Sequence, residues 1–244
     1  MIWGYTKIYL VAFIRNRSAM FFAVLFPSII LLFGAFQTSM IQSQEIKLFI
    51  LISFMNYAVQ TVMFQTLGMM VSAHKNNTWH KYLSTMPVSK LYYIIGIINV
   101  MLIICVISLV LASILGFVIL PKLSLFPHVA FMMFLKIFII AIVGGIPMGM
   151  FGYLLGSVVN PEASRSIFVT LNIILFFIAN IIPVSGLWHK LGLFIPTYLW
   201  LLININYSVY NNVDLSSIFC YLAYMFIFLI FSLKCSRFRL RVNK

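Results

Sequence analysis

Residues 73–96 read AHKNNTWHKYLSTMPVSKLYYIIG, a long polar stretch between two long apolar ones. The Asn-Asn-Thr run at 76–78 supplies side chains that accept hydrogen bonds from the free N–H groups at the start of a helix. Pro87 ends the pattern, because the residue before a proline disfavours helical geometry. The stretch therefore predicts a short helix over 76–87, and the rest of the chain is arranged on either side of it.

One face of this predicted helix is apolar. Trp79, Leu83 and Met86 follow one another at i, i+4 and i+7. His80, Lys81 and Ser84 lie largely elsewhere around the predicted helix. Two interpretations stay open. The segment is either a helix that docks a soluble partner through this face, or an interfacial loop whose tryptophan and tyrosine lie among lipid headgroups.

The composition is that of an integral membrane protein. Of the 244 residues, 64% are hydrophobic and only 8% are charged, and the mean hydropathy is +1.11. A soluble domain carries about a quarter charged residues, because it has to cover its surface. This chain cannot cover itself in that way, so we expect most of its surface to face lipid.

The apolar stretches predict an all-α membrane protein with one transmembrane domain, 1–244. The aromatic and basic segment 1–17 predicts a helix lying at the membrane interface. Segment 184–203 is too apolar for a simple loop, and we interpret it as an external re-entrant or interfacial segment packed against protein. A bilayer core needs about 20 apolar residues per helix, and six stretches reach that length: 18–38, 48–72, 93–119, 130–156, 163–183 and 216–235.

Basic residues are unevenly divided between the two sides of this six-span arrangement. Of the sixteen lysines and arginines, twelve fall on one side, and the positive-inside rule makes that side, with both termini, cytoplasmic. The net charge of +13 is therefore a topology signal. The basic residues sit in short flanks with no basic domain, which argues against a nucleic-acid partner. The four on the other side are Lys47, Lys122, Lys136 and Lys190.

Several kinds of chemistry lack the residues they need. The acidic residues are Glu45, Glu162 and Asp214, and none lies in the middle of a predicted span. Ion-coupled carriers use buried carboxylates, and intramembrane metalloenzymes need clustered carboxylates or histidines, so both classes are disfavoured. There is also no G-x-x-x-x-G-K-S/T loop for ATP. Uphill transport by this chain would take its energy from another polypeptide.

Glycines form a stripe along the fourth predicted span. Gly145, Gly149, Gly152 and Gly156 repeat at intervals of 4, 3 and 4, which places them on one helical face around Pro147. Such a face allows another helix backbone to approach closely and predicts a packing seam. Static packing within one subunit and a moving or subunit–subunit contact both remain possible at this point.

The second predicted span carries a polar face made of Ser53, Asn56, Tyr57 and Gln60. Polar groups facing lipid are costly, so this face is expected to look inward. It serves either to hydrogen-bond neighbouring helices or to line a route for a substrate.

With these residues in view, the whole chain resembles the permease subunits of ABC-2 type ATP-binding-cassette exporters. Those subunits have an interfacial N-terminal helix, six spans, cytoplasmic termini and a coupling helix between spans two and three. The exit of the fifth span through Pro183, Gly186 and Pro196 is similar to the external re-entrant hairpin of that family. In the coupling segment Asn77 replaces a glycine, and Trp79–His80 stands where an acidic residue is usual. The matching positions are Thr78, Leu83, Thr85, Pro87–Val88–Ser89 and Lys90.

The resemblance implies a subunit that exports a hydrophobic or amphipathic substrate, such as a drug, an antimicrobial peptide or a lipid, across a bacterial plasma membrane. It implies two cytoplasmic ATPase subunits, which bind ATP and Mg²⁺, and a second permease subunit, identical or similar. The chain itself would bind no cofactor or metal and would catalyse no reaction. A non-transporting sensor or assembly subunit is the alternative. The residues implied to dock the ATPase are Thr78, Trp79, Tyr82, Leu83, Thr85, Met86 and Pro87.

Overall fold

All regular structure in the described part of the chain is helical, which confirms the all-α class. The computed structural model describes residues 2–15, 17–30, 32, 43–74, 90–119, 131–181, 187–212 and 214–235. The predicted docking helix 76–87 lies outside these residues.

Within the described ranges, ten α-helices have defined bounds, and residues 26–30 are also helical. Two wider π-helical turns interrupt the helices, Phe21–Leu25 after α2 and Thr61–Thr66 between α3 and α4. The helices are α1 Ile2–Arg15, α2 Arg17–Met20, α3 Gln44–Gln60, α4 Leu67–His74, α5 Lys90–Ile119, α6 Phe131–Val158, α7 Pro161–Ile181, α8 Leu187–Gly192, α9 Pro196–Ser208 and α10 Leu215–Cys235.

Five helices of the described chain are long and apolar enough to cross a membrane. The predicted spans 48–72, 93–119, 130–156, 163–183 and 216–235 each coincide with one of them to within a few residues. The remaining predicted span, 18–38, is described only at 18–30 and at residue 32, so a sixth span stays a prediction. The five observed helices are Glu45–His74, Leu91–Ile114, Phe131–Val158, Pro161–Ile181 and Leu215–Lys234.

Local sequence signals set where several helices begin. Proline occupies the first position of both α7 and α9, where its missing N–H costs nothing. At α10, Asp214 accepts hydrogen bonds from the backbone N–H of Ser216 at 3.1 Å and from the Ser217 hydroxyl at 2.5 Å. This carboxylate caps the helix, since it satisfies a donor that has no partner inside the helix.

The longest continuous inner helix is the one formed by α3, the Thr61–Thr66 turn and α4. Of the 18 most apolar consecutive residues of this helix, 67% are buried inside the protein, whereas the corresponding share for α10 is 17%. It packs against α6, which also contacts α5, α9 and α10. α7 and α10 therefore lie on the outside of the bundle, and α6 connects the inner and outer helices.

The two segments predicted to lie at the membrane surface are helical. α1 covers most of 1–17 and contacts α5. Its Thr6, Tyr9 and Phe13 are buried, whereas Trp3 is 73% exposed. The segment predicted over 184–203 contains α8 and α9, and α9 continues to Ser208. Their depth in a membrane stays a prediction.

α9 packs deeply against the bundle. It contacts α3, α6, α7 and α10, and the Trp200 side chain is 1% exposed. The indole N–H of Trp200 donates to the carbonyl oxygen of Ile140 in α6, at 3.4 Å. A short helix outside the five candidate spans therefore forms part of the interior.

Candidate functional site in the helix bundle

The polar face predicted on the second span lies inside the bundle. Ser53, Asn56, Tyr57 and Gln60 are all buried, none more than 7% exposed. Their turn of α3 is surrounded by α6, α7 and α9. The partners of this face come from two asparagines that the sequence analysis did not single out.

The first is Asn204 of α9. Its side-chain Nδ2 donates to Oδ1 of Asn56 at 2.9 Å and lies 3.5 Å from the carbonyl oxygen of Ile137 in α6. Its own Oδ1 accepts a hydrogen bond from the Ser208 hydroxyl at 3.0 Å. One fully buried amide thus links α9 to both α3 and α6.

The second is Asn172 of α7, whose contact with Thr61 lies about one helical turn beyond Asn56 along the inner helix. Its Nδ2 donates to Gln65 Oε1 at 2.9 Å and to Thr61 Oγ1 at 3.1 Å. In the reverse direction, Nε2 of Gln60 donates to the backbone oxygen of Asn172 at 3.1 Å. Three hydrogen bonds therefore join α7 to the inner helix around a single asparagine.

The π-helical turn Thr61–Thr66 presents part of this network. Thr61 Oγ1 donates to the Tyr57 carbonyl at 2.9 Å, and Thr66 Oγ1 donates to the Thr61 carbonyl at 3.0 Å. Wider turns of this kind occur mostly as single turns within α-helices, frequently at functional sites. Both threonine hydroxyls therefore donate to backbone carbonyl oxygens at the turn. The side chains of Thr61 and Gln65 both accept hydrogen bonds from the Asn172 amide.

Three buried polar atoms of this region have no hydrogen-bond partner among the described protein atoms: Ser53 Oγ, Asn56 Nδ2 and Asn172 Oδ1. An unsatisfied buried group costs about 1–3 kcal/mol, so polar groups are seldom left in this condition. The site consequently retains one amide donor, one hydroxyl and one amide acceptor for a polar group from elsewhere. We name the set of Ser53, Asn56, Gln60, Thr61, Gln65, Asn172 and Asn204 the polar core.

A sequence signal for the two missed asparagines does exist. Asn172 lies within a helix apolar enough to span a membrane, and Asn204 follows the apolar run of α9. An isolated polar residue in such a setting usually faces the protein interior. Several other asparagines share that setting, however, so sequence alone did not distinguish these two.

The glycine stripe of α6 packs against the inner helix of the same chain. A Cβ on Gly152 would lie 2.5 Å from the backbone oxygen of Phe64, and one on Gly156 would lie 2.5 Å from that of Gly68. At Gly149 the obstacle is the flexible end of Met63, 2.9 Å away, and at Gly145 it is the side chain of Val59. The stripe lets two backbones approach closely within one subunit.

A cluster of rings, which we call the aromatic clamp, lies beside the segment predicted to dock a partner. His74, at the end of α4, has its Nδ1 3.4 Å from the hydroxyl of Tyr93 in α5. The Tyr9 ring of α1 lies 5.6 Å from that of Tyr93 and 5.8 Å from that of His74. Tyr153 of α6 completes the clamp, 6.3 Å from Tyr93. Four helices therefore meet close to the end of α4 and the start of α5.

The described residues contain no group of three or more histidine, cysteine, aspartate or glutamate side chains placed to hold a metal ion. Compared with known families and with curated proteins, the chain matches no family model and none of the curated proteins.

Proposed function

We propose that this chain is the permease subunit of an ABC-2 type ATP-binding-cassette exporter. The observation that supports this most is the polar core, because polar groups in a membrane-spanning bundle are costly to bury and three atoms of this core have no partner among the described residues. Its unpartnered atoms on Ser53, Asn56 and Asn172 give a passing substrate polar groups to bind. The resemblance across the chain supplies the family.

The proposed energy source is a pair of cytoplasmic ATPase subunits that bind ATP and Mg²⁺. They dock on the 76–87 helix through the face of Trp79, Leu83 and Met86. Because the 76–87 segment follows α4 and precedes α5 along the chain, closure of the ATPases would push on both helices. A rigid-body tilt of the inner helix against α7 and α9 then alternates access to the polar core.

The proposed cargo is hydrophobic or amphipathic: a drug, an antimicrobial peptide or a lipid. The spanning helices carry few charges, and the described polar core contains amides and hydroxyls without a carboxylate or an ammonium group. Such a set of groups hydrogen-bonds peptide or headgroup polar atoms, but does not neutralise a buried ion. A second permease subunit completes the pathway as a homodimer or a heterodimer.

The test is co-purification of the tagged chain from its native membranes in mild detergent. We expect a stoichiometric ATPase subunit, whose hydrolysis rate changes when it is reconstituted with this chain in proteoliposomes. The matched control is the same ATPase in liposomes without the chain. A stoichiometric partner that lacks ATPase activity would instead identify a sensor or assembly subunit and would refute the exporter.

A further inference from the structure

A second feature of the bundle lies apart from the polar core. An apolar crevice of about 340 Å³ is enclosed by α6, α9 and the first turns of α10. Val143, Pro147, Ile203 and Leu222 are among its walls. Its size and apolar lining suit a hydrocarbon chain.

The floor of the crevice exists because Gly144 has no side chain. The Trp200 indole occupies the space beside the Gly144 backbone, and the Tyr221 hydroxyl donates to the Gly144 carbonyl oxygen. Both rings line the crevice with their polar atoms bonded to α6. They therefore present apolar ring surface to whatever binds.

The crevice opens sideways from the bundle. Ile139 and Val143, on its α6 wall, are 50% and 58% exposed. Both lie within the stretch of α6 that is long and apolar enough to span a membrane. At that level the surroundings are lipid, so a lipid chain can enter laterally without crossing water.

Charged side chains lie at one end of the crevice, which we call its polar end: Asp214 is in the lining, and Lys136 lies outside the lining, beside Tyr207. Asp214 lines that end together with Tyr207. Lys136 donates through Nζ to Oδ1 of the neighbouring Asn211 at 2.9 Å and lies 5.5 Å from the centroid of the Tyr207 ring. Hydrogen bonds from the side chain of Ser216 and then of Ser217 lower the pKa of Asp214, so its carboxylate is charged at neutral pH.

We propose that this crevice binds one acyl chain of a phospholipid whose headgroup carries both a phosphate and an ammonium, as in phosphatidylethanolamine. Lys136 faces the phosphate and Asp214 faces the ammonium, at the polar end of the apolar crevice. An anionic headgroup without an ammonium satisfies only Lys136. A cationic amphiphile without a phosphate satisfies only Asp214. This site depends on the chain spanning a membrane and does not depend on its being an exporter.

The experiment uses phosphatidylethanolamine with a photoreactive diazirine near the end of one acyl chain, added to the purified full-length chain in detergent. We expect cross-links to concentrate in 139–147 and 218–225. Unlabelled phosphatidylethanolamine should compete better than phosphatidylglycerol. Since exposed charge pairs contribute modestly, the expected preference is up to about fivefold.

Two variants separate the acyl site from the headgroup site. Ile218→Trp fills the crevice and should abolish the concentrated labelling, and Val143→Trp does the same from the opposite wall if the first variant folds poorly. Asp214→Asn should keep the labelling and lose the headgroup preference, because asparagine also caps a helix well. The matched control is Ile174→Trp, on an exposed face of α7 away from the crevice.

Cross-links spread evenly over the exposed faces of α7 and α10 would overturn the proposal. So would equal competition by phosphatidylglycerol, or labelling that survives in folded Ile218→Trp and Val143→Trp proteins. Displacement of the probe by a cationic amphiphile but not by unlabelled phosphatidylethanolamine would assign the crevice to a different ligand.

Discussion

At the scale of single residues, two asparagine side chains hold the polar core together. Asn172 Nδ2 donates to both Thr61 and Gln65. Asn172→Leu should therefore lower the free energy of unfolding by about 1 kcal/mol, a typical value for hydrogen bonds within membranes. The measurement is the unfolding free energy in mixed micelles. Asn180→Leu is the control on the same helix, because among the described residues the Asn180 amide donates to Phe176 within α7 and to no other helix.

The coupling between helices can be isolated by a double-mutant cycle on Asn56 and Asn204, whose amides meet at 2.9 Å. A coupling energy between about 0.6 and 1.7 kcal/mol is expected for such a pair. Strict additivity of the two single substitutions to leucine would mean that the bond contributes nothing to stability.

The glycines of α6 should differ in how they tolerate a methyl group. At Gly152 the obstacle is the backbone of Phe64, which cannot move away, whereas at Gly149 it is the end of the Met63 side chain. Gly152→Ala should destabilise by about 1–3 kcal/mol, as overpacking usually does, and Gly149→Ala by less. Gly4→Ala is the control, since no atom lies within 4 Å of that site. Equal losses at 149 and 152 would contradict the backbone contact.

At the scale of elements, the aromatic clamp ties α1 to α4 and α5 through Tyr9, His74 and Tyr93. Tyr9 is 2% exposed, whereas Lys7 and Arg15 on the same helix are exposed. Tyr9→Ala should release α1 from α5 and speed tryptic cleavage at those two basic residues. Trp3→Ala, which alters an exposed side chain of the same helix, should leave cleavage unchanged. Equal protection in both variants would show that other contacts hold α1.

The docking segment has its own test. If Leu83 inserts into a groove of an ATPase, Leu83→Asp should weaken association or uncouple hydrolysis from transport, because a buried anchor typically contributes a few kcal/mol. Ser84→Asp introduces the same charge at a position predicted to lie off the docking face and should have little effect. Membrane insertion, measured as the yield of protein in the membrane fraction, should be unchanged in both variants. If the Leu83→Asp protein still associates normally with the ATPase, the segment is an interfacial loop and not a docking helix.

At the scale of the whole molecule, the orientation predicted from the basic residues, with both termini cytoplasmic, can be tested by labelling. Glu45 and Tyr210 line one common cavity, so the neighbouring exposed positions Ser43 and Asn211 lie at the same end of the bundle. Single cysteines there should react with an impermeant maleimide in intact cells. Cysteines at 77 and 243 should react only after the membrane is opened, and labelling at 77 in intact cells would reverse the orientation.

The amino-acid sequence determined the helices by itself. Span lengths depend on how many consecutive apolar residues cover the bilayer core, so five predicted spans coincide with observed helices to within a few residues. The polar face of α3 and the glycine stripe of α6 could be located in the same way, because helical spacing decides which side chains share a face. The prediction of a docking helix over 76–87 depends on such spacing and on the capping and proline signals at its two ends.

Only the tertiary structure decided what each face meets. Asn172 and Asn204 lie more than 100 residues from their partners Thr61 and Asn56, and no local pattern relates the two. The glycine stripe could have met another subunit, but it meets α3 and α4 of the same chain. The crevice arises where three helices converge beside Gly144. The physical reason is that periodicity orients a side chain about its own helix axis, whereas its partner depends on how the helices pack against one another.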